Sequence, residues 1–243
     1  MGVRRLSHGR VVIENMPLKA LLGVAYKRRV EWFEISGAPG WMDSEGYDVI
    51  AKATGDATNE QMYPMLQALL RDRFQLTLHR ETKDLPVYLL VVAKGGLKLQ
   101  NAKPGSCFAG PTEPPRVPGV PLVLPCGNIA VSLAPLGLQI KGVQASMQVL
   151  APILSGLLGR TVVDRTDFRG TFDIDLEFTP DDAMAGIPGP GIPGSLPAVP
   201  PSGDSAGPSL FSAMQERLGL KLESAKGPVT VFVIDHVERP SQN

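Results

Sequence analysis

Residues 66–93 of this 243-residue chain read LQALLRDRFQLTLHRETKDLPVYLLVVA, and residues 211–237 read FSAMQERLGLKLESAKGPVTVFVIDHV. Both predict an amphipathic helix, a short alternating strand, a turn before proline and a long apolar strand. Arg71–Asp72–Arg73–Phe74 aligns with Gln215–Glu216–Arg217–Leu218, Leu76 and Leu78 with Leu220 and Leu222, and Pro86–Val87 with Pro228–Val229. A repeat constrains a fold more than any local propensity does, because both copies have to build the same supersecondary unit.

The correspondence extends upstream. YDVIAKA (47–53) aligns with FDIDLEF (172–178), and VVIENMPLKALLGVAY (11–26) aligns with LQIKGVQASMQVLAPIL (138–154), a strand running into a helix. Each copy therefore reads β-α-β-α-β-β, and the expected fold is α+β, two duplicated units packed with a pseudo-twofold relation. The expected boundaries are 1–103 for the first unit, 104–135 for a Pro/Gly-rich linker with a cysteine pair, and 136–243 for the second unit. A Pro/Gly-rich loop, 183–207, interrupts the second unit; its core, GIPGPGIPGSLPAVPPSG (186–203), is too rich in breakers to form a packed element. The last strands, 85–93 and 229–237, are apolar on both faces, which suits central strands covered on both sides.

Bulk properties exclude several function classes. Basic and acidic side chains balance at 24 each, so no global field attracts nucleic acid or an anionic membrane. The cluster Lys27–Arg28–Arg29 is expected to cap a helix C-terminus. No apolar run approaches the roughly 18–20 residues that span a bilayer. The opening MGVRRLSHGR lacks the apolar core of a signal peptide, which leaves a cytoplasmic location open.

Chemistry-bearing residues are few. In FDIDLEF the alternation places Asp173, Asp175 and Glu177 on one face of a strand, either as the wet face of a sheet or as an oxygen-rich site for calcium. Asp164, Asp167, Asp181 and Asp182 flank that strand. Asp173 aligns with Asp48, which favours a structural role, whereas Asp175 and Glu177 align with Ile50 and Lys52.

Three histidines occur, His8, His79 and His236, in no metal-binding spacing. His236, beside Asp235 at the end of a buried strand, is the one candidate general base, weighed against a locally bonded strand-end histidine. No GxSxG elbow, Walker loop or GxGxxG is present; Ser155 and Ser209 sit in fragments of the first pattern, and Ser209 suits a helix N-cap. Trp41, Tyr47, Met62, Tyr63 and Met65 fit a core more readily than an apolar binding surface. Cys107 and Cys126 form either a disulfide across the linker or two free thiols, and two thiols alone supply half of a zinc shell.

ISGAPGWMDSEGYDVIAKA, LLRDRFQLTLHRETKDLPVYLLVVAKGG, VVDRTDFRGTFDIDLEFTPD and GPSLFSAMQERLGLKLESAKGPVTVFVIDHVERPSQN resemble a family of exported soil-bacterial proteins of unknown function. The resemblance covers nearly the whole chain and implies a periplasmic or secreted protein. It also reaches metagenomic proteins reported as calcium-dependent quenchers of N-acylhomoserine lactones. That implies a calcium-assisted hydrolase for a small acyl-lactone, with Asp173, Asp175 and Glu177 on the cation and His236 as base. More distantly, each unit is similar to the β-α-β modules at the front of secretins and TonB-dependent receptors, which implies an envelope partner and no catalysis.

Overall fold

The computed structural model describes residues 2–7, 9–26, 35–53, 55, 57–102, 107–108, 124–135, 137–180 and 207–241. The fold is mixed α+β. Among the described residues the chain divides into two compact units, one from residues 2–85 and 227–241, the other from 86–180 and 207–226. The loop 186–203, the basic cluster at 27–29, and Asp181 and Asp182 lie outside the described residues, as does most of the linker.

In the first unit, strands β1 (Gly2–Ser7), β2 (Arg10–Pro17) and β4 (Gly46–Lys52) form an antiparallel sheet in the order β1-β2-β4. Helix α1 (Leu18–Ala25) follows β2 at Pro17 and buries Leu18, Leu21, Leu22 and Ala25, the i, i+3, i+4, i+7 stripe of an amphipathic helix. The short strand β3 (Ile35–Ser36) and helix α2 (Trp41–Ser44) lead into β4. Helix α3 (Asn59–Phe74) opens with a reciprocal Thr58–Gln61 capping box and closes on Gln75 in the left-handed region. It buries Met62, Leu66, Leu70 and Phe74 against β2 and α1 residues such as Ile13 and Leu21. Each such side chain contributes about 1.5–3 kcal/mol by leaving water.

The second unit has a four-stranded antiparallel sheet in the order β6-β10-β8-β7, from β6 (Gln100–Asn101), β7 (Ile129–Ala134), β8 (Gly137–Ala145) and β10 (Phe172–Phe178). Helix α4 (Met147–Leu158) follows β8, and β9 (Val162–Asp164) follows α4. Helix α5 (Leu210–Ala213) continues as a π-helical turn, Met214–Leu218, capped by Gly219 in the left-handed region. A Cβ at Gly219 would collide with the Gly96 carbonyl, so glycine is required there on two counts. The buried hydroxyl of Ser155 donates to the Ala151 carbonyl and accepts from the Val162 N–H at 2.8 Å, fastening α4 to β9.

A further sheet, ordered β3-β11-β5-β9, is built on two long strands, β5 (Thr77–Val92) and β11 (Leu220–His236). Each had been expected as two strands separated by a turn. Both run unbroken through Pro86 and Pro228, and these prolines sit where each strand passes from one unit to the other. β5 gives its N-terminal half to the first unit and its C-terminal half to the second; β11 does the reverse. In the first unit β3 pairs in parallel with β11, Ile35 opposite Phe232; in the second β9 pairs in parallel with β5, Val162 opposite Tyr88. Proline cannot donate to a ladder, and the sequence signal for a turn was the signal for this change of surroundings.

Candidate functional site

Strand β10 carries the acidic row. Phe172, Ile174, Leu176 and Phe178 are all buried in the second unit's core, so the alternation forces Asp173, Asp175 and Glu177 to the opposite face. Between Phe172 and Ile174 the register with β8 shifts by a bulge, and Gln144 takes φ 49° there. Its backbone N–H donates to Asp173 Oδ1 at 2.9 Å. Asp175 lies opposite Lys141 on β8 and accepts from Gln139 Nε2 at 2.6 Å, and Glu177 lies opposite Gln139. Lys141, opposite Asp175, offsets part of the repulsion along the row.

The flanking Asp164 accepts from both the backbone N–H and the hydroxyl of Thr166, at 2.9 and 2.7 Å, in a local turn that holds Asp167 at φ 57°. Among the described residues, no group of three or more His, Cys, Asp or Glu side chains is disposed to hold a metal ion.

The same bulge occurs in the first unit. The register of β2 with β4 shifts between Ile13 and Met16, Asn15 takes φ 48°, and its N–H donates to Asp48 Oδ1 at 2.7 Å. The aromatic-Asp pairs Tyr47–Asp48 and Phe172–Asp173 thus do the same work.

His236 stands exposed at the end of β11 with Nε2 3.0 Å from Glu238 Oε1. His236 belongs to the first unit, and the acidic row to the second. His79 makes a pairing the sequence had not suggested, its Nδ1 bracketed by both oxygens of Asp235 at 2.8 and 2.9 Å. The partners are 156 residues apart, and only knowing that β5 and β11 are neighbours would have revealed them.

Arg239 was also missed. It chelates Glu45 through Nη2 at 2.6 Å and Nε at 3.0 Å, and its guanidinium lies 5.1 Å from the Trp41 ring centroid. The Arg239 hydrogen bonds hold the Glu45 carboxyl below its ordinary range, with the Tyr47 hydroxyl adding to the effect. Burial, then the bond to Glu45, pushes Tyr47 up. Trp41 stacks on Phe74 at 6.4 Å while Tyr47 meets Phe74 edge-on at 5.0 Å, and Met62 is buried. Trp41 and Tyr47 are partly buried against the first unit's core, Tyr63 is half-buried, and Met65 is exposed.

Ser209 is the N-cap of α5, accepting from the Ser212 N–H at 3.3 Å. Cys107 and Cys126 are joined by a disulfide with Cα atoms 4.9 Å apart. A shallow cleft of about 410 Å³ is lined by Lys94, Lys98 and Lys221 beside Glu216 and Gly219. Lys98 uses its Nζ on the Glu216 carbonyl and its N–H on the Leu218 carbonyl, which caps the π-helical turn, and Lys221 pairs with Glu223 at 2.9 Å.

The profile of the family described as "Protein of unknown function (DUF3738)" matches residues 19–237, from α1 to the end of β11. The chain belongs to the DUF3738 family. No curated protein and no solved structure matches this DUF3738 chain. The match spans both units, so the exchanged strands β5 and β11 lie within one family domain. Among the described residues no helix of the DUF3738 domain is long and apolar enough to cross a membrane.

Proposed function

We propose that this DUF3738 chain is a non-enzymatic binding module, built from two copies of one unit, that engages a protein or small-ligand partner at the cell envelope. The observation that carries this reading is the matched pair of bonds, Asn15 N–H to Asp48 and Gln144 N–H to Asp173. A bulge whose amide needs an acceptor has reason to place an aspartate on both strands. A cation site confined to the second unit gives no reason for Asp48. The competing reading, a calcium-assisted hydrolase of N-acylhomoserine lactones, draws on Asp173, Asp175 and Glu177 sharing a face of β10 and on His236 as base. Against it stand the bonds that already engage Asp173 and Asp175.

The discriminating experiment incubates the purified chain with an N-acylhomoserine lactone in calcium or in chelator and follows ring opening by mass spectrometry. The module reading expects the lactone to open at the buffer rate in both. Chelator-sensitive opening that is lost when Asp173, Asp175 and Glu177 become Asn, Asn and Gln would replace it with the hydrolase.

A further inference from the structure

Strand β4 is the outer strand of its sheet, and seven consecutive residues, Gly46–Lys52, line that edge without a proline. Its outward face carries Asp48, Ile50 and Lys52, all exposed, and Ile50 is 72% exposed, an unusual place for a large β-branched apolar side chain. The backbone direction follows from one bond: Ala53 N–H donates to the Gly9 carbonyl, toward the β2 side. Strand alternation then aims the peptide groups of Ala51 and Val49 at β2 and those of Asp48, Ile50 and Lys52 outward. An open edge of this kind is a template for another strand, and natural sheets block such edges with proline, bulges or inward charges. Among the described residues no further strand pairs with this edge, and its side chains are self-complementary.

We propose that β4 pairs with β4 of a second copy of this chain, antiparallel and centred on Ile50. In that register Ile50 faces Ile50 across the two-fold axis, and Asp48 of each copy faces Lys52 of the other, twice over. The facing residues are those whose peptide groups point outward, so each facing pair exchanges two backbone hydrogen bonds. Registers shifted by two residues keep the backbone bonds but place Asp48 against Ile50, or Lys52 against Ile50, and lose both charge pairs. Charge thus selects the alignment that backbone geometry permits. The interface is isologous, the commonest arrangement among oligomers, and joins two three-stranded sheets into one of six strands.

Sedimentation velocity on the full chain over a concentration series tests this directly. The parent is expected to show a reversible shift to twice the monomer mass. Ile50→Lys and Lys52→Glu, both at exposed positions, are expected to stay monomeric with an unchanged circular dichroism spectrum. Leu133→Lys, at another highly exposed large apolar side chain (71%), is expected to dimerise like the parent. Ile50→Cys is expected to yield a covalent dimer under mild oxidation, because the two side chains face each other. A parent that remains monomeric throughout overturns the proposal. A dimer that survives both Ile50→Lys and Lys52→Glu overturns it equally, by placing the contact elsewhere.

Discussion

Gln144, held at φ 49° in the β8 bulge, gives its backbone N–H to Asp173 Oδ1 at 2.9 Å. A side chain at positive φ carries strain of order 1–3 kcal/mol unless its surroundings over-determine it. The carboxylate supplies that determination by accepting the one amide that the bulge turns out of the ladder. Asn15 and Asp48 repeat the arrangement at 2.7 Å.

From this relationship we expect unequal costs along the row. Asp173→Ala should destabilise by about 1–3 kcal/mol, because it strands a part-buried backbone donor, and Asp48→Ala should cost less, because water can take up the exposed Asn15 N–H. Asp175→Ala, whose partner is an exposed glutamine amide, should cost less than about 1 kcal/mol. Gln144→Gly should be neutral or stabilising by up to about 1 kcal/mol through relief of the positive φ. Urea unfolding of the four variants measures the order.

The exchange of strand halves makes its own prediction. Because each unit contains a half of β5 and a half of β11, neither end of the chain completes a unit alone. A protease site placed between residues 110 and 122 should therefore yield two pieces that co-elute on gel filtration after cleavage and reduction of Cys107–Cys126. Pieces that separate in native buffer would contradict the strand assignment.

Much of this architecture was legible from residues. The strands 11–17 and 138–145, the helices that follow them, and FDIDLEF as β10 all appear where periodicity put them, because each has one strongly apolar face. Strands β1 and β7 were not expected, since an outer strand needs only modest alternation and each lies beside a partner that carries the clearer pattern. The unbroken β5 and β11 were misread at Pro86 and Pro228, where proline marks a change of surroundings rather than of direction. At the candidate site, the aspartate match of Asp48 with Asp173 was visible. The bulges that explain it depend on positive φ at Asn15 and Gln144, and glutamine gives no sequence signal for that. Arg239–Glu45 and His79–Asp235 bridge 194 and 156 residues, which no local pattern encodes.

Ser155 offers a sharper test of the second unit's interior. Ser155→Ala removes the acceptor for the Val162 N–H while leaving the helix intact, so it should destabilise by about 1–3 kcal/mol. Hydrogen exchange at Val162 should rise selectively. A change confined to α4 amides would show that the hydroxyl serves its own helix only.

The Glu45–Arg239 chelate predicts a pH response. Glu45 is held below its ordinary value near 4.5, so its contribution is complete above that pH and disappears as pH falls through the lower folded value. With Trp32→Phe, Trp41 is the remaining tryptophan and reports on the guanidinium stacked over it. Its emission should change only below about pH 4.5, and Arg239→Gln should abolish the step. A transition centred above that pH would assign the step to another group.

The central claim, that Asp173, Asp175 and Glu177 serve the sheet rather than a cation, is tested most directly by calorimetric titration of calcium into the metal-free protein. We expect only dilution heats, identical for the parent and for the variant carrying Asp173→Asn, Asp175→Asn and Glu177→Gln. Saturable binding of calcium by the parent, at a whole-number stoichiometry and lost in that variant, would contradict it.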